Sequence, residues 1–251
     1  MMLAAGLLCF VFVGLALGML GGGGSILAVP VLVYVLSIPA GTAVPMALPV
    51  VGIAAGAGVI ARWRRGELQL STFALFAICA MGASYLAARL GVGIPDRTRI
   101  LMFGCVMLLA AIAMWRRGSR TGTPTPQAAR PAYQVIPVAL AVGTLTGILG
   151  VGGGFLIVPA LVGVLALPMA QATATSLAVI ALNTAAAGAG FLSKHVEIDL
   201  PLTAFVTLAA LAGMAIGLRL APRYSAASLA RAFAVLLVVL AIFTIGKELV
   251  T

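Results

Sequence analysis

Two glycine-rich stretches are the part of this sequence whose residue types and spacing could do chemistry. They read GMLGGGGSILAVP (18–30) and GILGVGGGFLIVP (147–159). Such runs do not continue a stable helix, because each glycine costs about 1 kcal/mol relative to alanine. A helix that stops there exposes backbone N–H groups, and the helix that follows adds its positive dipole end. The predicted chemistry is the binding of an anion by backbone amides.

The predicted substrate-binding residues come from these two stretches and from the segment after the second one. In that segment Ser176 and Asn183 are seven residues apart, which places them on one face of a helix. The full set is Gly21, Gly22, Gly23, Gly24, Ser25, Gly150, Gly152, Gly153, Gly154, Thr175, Ser176 and Asn183.

These assignments have structural alternatives. Glycines spaced as GxxxG let two helices approach closely, and we expect packing alone for Gly14, Gly18, Gly143 and Gly147. The clustered glycines are assigned to a site instead, because packing calls for glycine on one helix face only. Serine and threonine hydroxyls can bond their own helix backbone, and Asn183 can bond a neighbouring helix.

Three charged or titratable residues at the ends of uncharged runs are candidates for a gate. Glu67 and Glu197 occupy matching places in the two halves and could pair with Arg65 or Lys194, and His195 lies beside Lys194. A solvated interface charge is the alternative for each candidate. No acidic residue lies in the middle of a long uncharged run, where proton-coupled carriers often place a carboxylate. The sequence therefore favours transport that is not coupled to protons.

The composition excludes an ordinary soluble enzyme. Of the 251 residues, 63% are apolar and 8% are charged, against about 45–50% and about 25% in soluble domains. The net charge of +10 comes from basic clusters between apolar runs, which indicates contact with lipid headgroups and no nucleic-acid partner. Three isolated cysteines without CxxC spacing argue against a disulfide framework or a metal site. No cofactor is predicted.

The spacing of charge and the residues themselves divide the chain into two similar halves. Uncharged runs of similar length recur in the same order, and a shift of 129 residues places 14–32 over 143–161 with ten of 19 positions identical. Self-similarity at a fixed offset indicates an internal duplication. We assign 1–116 to the first repeat, 117–132 to a polar linker and 133–251 to the second repeat.

The predicted fold is an all-α integral membrane protein with about eight transmembrane helices in two homologous four-helix halves. The first helix of each half is interrupted by its glycine-rich break. An even number of crossings per half makes the repeats parallel, whereas a broken segment that turns back without crossing makes them inverted. With eight crossings the basic residues divide nine to six between the two sides, which favours cytoplasmic termini.

The paired glycine stretches in a chain of eight apolar segments resemble the sulfite exporter family TauE/SafE. The stretch AQATATSLAVI (170–180) is similar to the family's Ala-x-x-Thr-Ser segment, whereas the first half has Val44, Pro45 and Met46 there. The resemblance covers nearly the whole chain. It implies transport of small sulfur-containing anions, such as sulfite or organosulfonates, across the bacterial cytoplasmic (inner) membrane.

We therefore expect a multi-pass secondary transporter, not an enzyme, that exports such an anion by alternating access between the two repeats. The two glycine-rich breaks are expected to meet in a wet pocket that holds the anion. The expected partners are the anion and the lipid bilayer, and a homo-oligomer is left open. The alternatives are an anion channel, an uptake permease for a different small anion and a membrane scaffold. A Ser–His protease is disfavoured, because His195 lies at a predicted segment end beside two charges.

Overall fold

The computed structural model describes residues 2–90, 96–118, 131–149, 154–192 and 198–250. Within these ranges the chain is helical with short connections and contains no strand. The helices are α1 (Met2–Leu20), α2 (Ser25–Pro30), α3 (Ala40–Trp63), α4 (Leu70–Leu90), α5 (Asp96–Gly118), α6 (Ala132–Leu149), α7 (Gly154–Pro159), α8 (Met169–Leu192), α9 (Leu200–Leu220) and α10 (Ala226–Val250).

Five helices in the described part of the chain are long and apolar enough to cross a bilayer. About 20 predominantly apolar residues are needed for one crossing, and these helices have between 18 and 24 residues. The chain is therefore an all-helical, multi-pass membrane protein. The five candidate spans are Met2–Leu20, Gly41–Trp63, Leu70–Ala87, Leu200–Arg223 and Ala226–Gly246.

The two short helices end in the same unusual way, 129 residues apart. Each carries a proline as its last residue and continues into a π-helical turn, Val31–Val35 after α2 and Ala160–Val164 after α7. Because proline has no backbone N–H, it breaks the regular i to i−4 hydrogen-bond pattern of the helix. In the turn that follows, the N–H of Leu36 donates to the carbonyl of Val31, five residues earlier. The same boundaries in both halves show that the sequence similarity extends to local structure.

The described helices form two compact units, each built from both sequence halves. Unit 1 comprises Met1–Leu68 and Thr173–Arg223, and unit 2 comprises Gln69–Ala172 and Tyr224–Thr251. In unit 1 the buried core joins α1, α2, α3, α8 and α9, and its largest fully buried side chains are Phe10, Leu17, Leu32, Met46, Leu177 and Ile180.

In unit 1 the chain reverses direction between α1 and α2. Gly24 packs directly against Val13 and Leu17 in the second half of α1, and Leu36 packs against Gly6 near its beginning. Helix α2 and its π-helical turn therefore run back along α1, so that the first apolar segment is a hairpin whose ends lie towards the same end of the unit.

Helices α3 and α8, which correspond in the two sequence halves, run antiparallel in unit 1. Position 52 of α3 faces Thr184 of α8, whereas Gly58 faces Leu177, so the partner number falls as the α3 number rises. Both helices have 24 residues. These two corresponding helices therefore run in opposite directions within unit 1, and the sequence had left open whether they would.

Unit 2 contains α4, α5, α6, α7 and α10. Helix α7 is buried along its whole length, and the ring of Phe155 packs edge-on against Phe103 of α5 with a centroid distance of 5.1 Å. Gly104 of α5 faces the side chain of Ile245 in α10, which brings those two helices close together.

Equivalent glycines make equivalent close contacts in the two units. A Cβ atom at Gly14 of α1 would overlap the carbonyl of Ala210 in α9, and one at Gly143 of α6 would overlap the carbonyl of Ala80 in α4. Gly18 and Gly147 meet backbone atoms one turn further along the same pairs of helices. The predicted packing role of these four GxxxG glycines is confirmed.

Replacing Gly14 by alanine should therefore destabilise the protein. The added methyl group pushes α1 away from α9, and overpacking of this kind costs about 1–3 kcal/mol. Thermal unfolding in detergent should show a melting temperature several degrees below that of the wild type. Gly56→Ala is the matched control, because nothing lies within 4 Å of a Cβ there. An equal loss in both variants would contradict the packing role.

Candidate functional site

The glycine turn between α1 and α2 is the centre of the candidate site. Helix α1 ends at Leu20 and α2 begins at Ser25, and the four glycines between them are buried. The N–H of Gly21 donates to the carbonyl of Leu17 at 2.9 Å, which closes the last turn of α1. Gly21 then adopts a φ of +73°. Glycine is needed there because this left-handed conformation is strained for other residues.

Three successive amides of this turn lack an acceptor in the described part of the chain. None of the backbone hydrogen bonds of the turn has the N–H of Gly22, Gly23 or Gly24 as its donor. Buried backbone N–H groups are nearly always paired in proteins. Adjacent unpaired amides therefore form a place where the oxygen atoms of a ligand or of water can accept hydrogen bonds.

Two members of the predicted set are already engaged within the turn. The Ser25 hydroxyl donates to the carbonyl of Gly22 at 2.7 Å, so its proton is not available to an anion. Gly24 packs against the backbone of α1, where a Cβ would lie 2.5 Å from the amide nitrogen of Leu17. Gly24 is therefore needed for packing as well as for its amide.

The first half of α8 lies beside the turn in unit 1. A Cβ at Gly21 would lie 3.1 Å from the Cα atom of Thr173, so α8 contacts the glycine turn through this residue. Every α8 residue from Thr173 to Ile180 is buried, and Thr175 and Ser176 have no exposed surface. The structure thus brings the first glycine turn and the Thr-Ser segment into the same compact unit.

The hydroxyl of Thr175 is fully buried and has no hydrogen-bond partner. Several threonines elsewhere in the described helices donate to the carbonyl four residues earlier, as Thr184 does to Ile180 and Thr207 does to Thr203. A buried hydroxyl without a partner is costly, so the hydroxyl of Thr175 is a candidate donor to a bound ligand. Ser176, the other predicted hydroxyl, takes part in an interaction within the chain.

Asn183 lies apart from the glycine turn and the Thr-Ser segment. It is half-buried and lies two turns beyond Ser176 on α8, which corresponds to about 10 Å along the helix axis. The structure therefore supports the Thr-Ser segment as a neighbour of the glycine turn, but it places Asn183 closer to the other end of the helix.

A charged cluster missed by the sequence analysis lies at the same end of unit 1. Arg62, in the last turn of α3, is 3% exposed. Its Nη1 contacts Glu67 Oε2 at 2.6 Å, and its Nη2 donates to the carbonyl of Gly18 at 2.8 Å. Arg65 donates to the carbonyl of Leu218 in α9 at 3.2 Å. Glu67 thus pairs with Arg62 and not with Arg65, the partner expected from the sequence.

The sequence did contain a signal for Arg62. It is the first charged residue after 61 uncharged ones, and it falls within the apolar span Gly41–Trp63. Charged side chains in transmembrane segments are rare and usually functional. The position 129 residues later is Phe191, so the second half has no arginine at the corresponding place.

Several predicted residues lie outside the part of the chain that the structure describes. They include most of the second glycine stretch and two of the three gating candidates, namely Gly150, Gly152, Gly153, His195 and Glu197. Gly154 is described: it begins α7, is buried and takes part in an interaction within the chain.

The chain is similar to known membrane transporters along nearly its whole length. Residues 6–244 match the protein family described as "Sulfite exporter TauE/SafE". A "Probable membrane transporter protein" of Xylella fastidiosa (strain 9a5c) is 31% identical over 242 residues, which cover 94% of this chain and 92% of that protein. A protein of the same description from strain Temecula1 / ATCC 700964 is 30% identical over 243 residues, with the same coverage. No solved structure is significantly similar.

Proposed function

Since the chain belongs to the TauE/SafE family of membrane transporters, we propose that it exports small sulfur-containing anions, such as sulfite or organosulfonates, across the bacterial cytoplasmic membrane. One observation supports the proposal that the substrate is an anion. The buried turn at Gly21–Gly24 has three amides without an acceptor, and it lies beside the α8 segment that holds the unpartnered hydroxyl of Thr175.

These groups suit a small oxyanion. Backbone amides and a threonine hydroxyl donate hydrogen bonds to negatively charged oxygen atoms, and such charge-assisted bonds are stronger than neutral ones. The site needs no metal and no cofactor for this task. The glycines let an anion approach the backbone closely, because they carry no side chain that would cover the amides.

We further propose that the membrane domain consists of two inverted repeats. Each repeat would contribute a hairpin, formed by one long helix and a short return helix, followed by three long helices. The antiparallel α3 and α8 and the hairpin of α1 and α2 support this arrangement. Inverted repeats allow alternating access, since the two repeats can exchange conformations and open the site to each side in turn.

The membrane potential is the proposed driving force. An inside-negative potential favours the exit of an anion by about 2.3 kcal/mol per charge per 100 mV. Proteoliposomes loaded with sulfite should therefore release it faster as the potential is made more negative inside at constant pH, and the release should saturate with concentration. Flux that ignores the potential and follows a pH gradient would contradict this mechanism, and flux that does not saturate would indicate a channel.

The orientation that we propose for α1 in the membrane is the opposite of the one expected from eight crossings, which placed the termini in the cytoplasm. Arg62 and Arg65 lie at the end of unit 1 where α1 and α9 finish, together with Arg219 and Arg223. Among the described residues the opposite end of unit 1 carries Asp199, and the sequence adds Lys194 and His195 between α8 and α9. Positive residues favour the cytoplasmic side, so the beginning of α1 is proposed to face away from the cytoplasm.

Cysteine labelling tests this orientation. In a variant whose three native cysteines are replaced, a cysteine at Arg64 should react with a membrane-impermeant maleimide in inside-out vesicles but not in intact cells. A cysteine at Met2, which is 58% exposed, should behave in the opposite way and serves as the matched control. Labelling of the Met2 variant only in inside-out vesicles would contradict this proposal and place the beginning of α1 on the cytoplasmic side.

A further inference from the structure

Arg62 carries a buried guanidinium that is only partly paired. Its side chain is 4% exposed, and its two hydrogen bonds use Nη1 and Nη2. The Nε–H group is buried and has no partner. A guanidinium can hold a carboxylate through two parallel hydrogen bonds, but the structure gives Arg62 a single contact with Glu67, through Oε2. Of the five N–H groups of the guanidinium, the Nε–H therefore remains without an acceptor.

The guanidinium lies next to the glycine turn. It bonds the carbonyl of Gly18, which is three residues, less than one helical turn, before Gly21. A positive charge at this place raises the local affinity for anions in a poorly solvated environment. Arg65 adds a second positive charge nearby, since it caps the end of α9, which packs against α1.

Glu67 is the more exposed partner of the ion pair. Its side chain is 22% exposed, against 4% for Arg62, and it lies on the short connection between α3 and α4. That connection contains Gly66 with a φ of +70°, and nothing lies within 4 Å of the position of a Cβ there. The Glu67 carboxylate can therefore leave Arg62 without moving a packed helix.

We propose that Glu67 occupies the place on Arg62 that a transported oxyanion takes during the transport cycle. This inference rests on the proposed function and adds to it a specificity-determining cation and an internal competitor for the substrate. The Glu67 carboxylate is a planar oxyanion of the same charge as a sulfonate or hydrogensulfite. When it leaves, an anion with two or more oxygens can bond the freed Nη1 and the second N–H of Nη2 together, which a spherical halide cannot do.

The test measures the KM and maximal rate of sulfite flux in proteoliposomes for the wild type and for Glu67→Gln and Arg62→Lys variants. Removal of the competing carboxylate in Glu67→Gln should lower the KM at least about threefold, because a larger fraction of the protein is competent to bind. Arg62→Lys keeps the charge but loses the planar donor pair, and it should raise the KM about tenfold or more.

A double variant separates this proposal from a structural ion pair. If Glu67 acts by competing for Arg62, Glu67→Gln should no longer lower the KM when Arg62 is already lysine. Arg64→Gln is the matched control, since Arg64 is exposed on the same connection, and its KM should be unchanged. Glu67→Asp, with a shorter carboxylate, should lie between the wild type and Glu67→Gln.

The outcomes distinguish the competition by Glu67 from the proposed transport of sulfur-containing anions. Saturable sulfite flux in the wild type with an unchanged or raised KM in both Glu67 variants would overturn the competition by Glu67 and leave the proposed function intact. No saturable flux of sulfite or of a sulfonate in correctly folded wild-type protein would overturn both. Chloride should inhibit sulfite flux weakly, and inhibition by chloride as strong as that by methanesulfonate would contradict the oxyanion preference of Arg62.

Discussion

Replacing Gly21 by alanine should reduce anion transport at least about tenfold. Alanine at a φ of +73° is strained by roughly 1–2 kcal/mol, and its Cβ would lie 3.1 Å from the backbone of Thr173. The turn has to shift away from α8, which displaces the following amides from the anion. Loss of a single hydrogen bond to a charged group costs about 1.5–3 kcal/mol, which corresponds to a tenfold or larger loss of affinity.

Gly66→Ala is the matched control for Gly21→Ala. Gly66 has nearly the same backbone conformation, with a φ of +70°, but a Cβ there would meet open space. Both variants should lose a similar amount of stability from backbone strain, as measured by thermal unfolding in detergent. Only the Gly21 variant should lose more transport than its loss of stability explains. Equal transport losses in the two variants would show that strain alone matters and that the turn does not bind the anion.

Thr175→Val should separate binding from stability most clearly, because we expect the substitution to lower transport without lowering the stability of the protein. The Thr175 hydroxyl is buried without a partner, so its replacement by a methyl group removes an unsatisfied polar atom. The apo protein should be as stable as the wild type or more stable by about 1 kcal/mol. Transport should fall about tenfold, since a hydrogen bond to the bound anion is lost.

The matched control for Thr175→Val is Thr207→Val. Thr207 is also buried, with 8% exposure, but its hydroxyl donates to the carbonyl of Thr203 at 2.6 Å within α9. This variant should keep its transport rate and lose a little stability. A Thr175 variant that is destabilised and transports normally would remove the hydroxyl from the proposed site.

Local features of this fold could be predicted from the sequence because they depend on neighbouring residues. The helix ends at Leu20 and Ser25 follow from glycines that disfavour a helix, and the close approach at Gly14 follows from its GxxxG spacing. The two halves could be recognised because the glycines and Pro30 and Pro159 recur at a fixed offset.

The direction of the chain after the glycine turn could not be predicted, because it depends on tertiary contacts. The reversal is set by Gly24 against Leu17 and by Leu36 against Gly6, and neither contact has a local signature. The same limit applies to the antiparallel course of α3 and α8, since counting apolar segments treats α1 and its return helix as one crossing.

Part of the candidate site could be predicted from the sequence. The turn glycines and Thr175 were identified from residue type, and they lie in one compact unit. Ser25 was expected to offer its hydroxyl to the anion, but a helix-start serine can donate to the carbonyl three residues earlier, as it does here. Arg62 was counted as one of several basic residues at a segment end, because its burial depends on Gly18 and Glu67.

The most direct test of anion binding by the glycine turn is an anomalous-diffraction experiment on crystals grown with selenite, the selenium analogue of sulfite. We predict a selenium peak whose oxygen atoms lie about 3 Å, an ordinary hydrogen-bond distance, from the amide nitrogens of Gly22 and Gly23. The peak should weaken in the Thr175→Val variant. Fully occupied selenium peaks confined to exposed arginines, with none at the turn, would contradict the account.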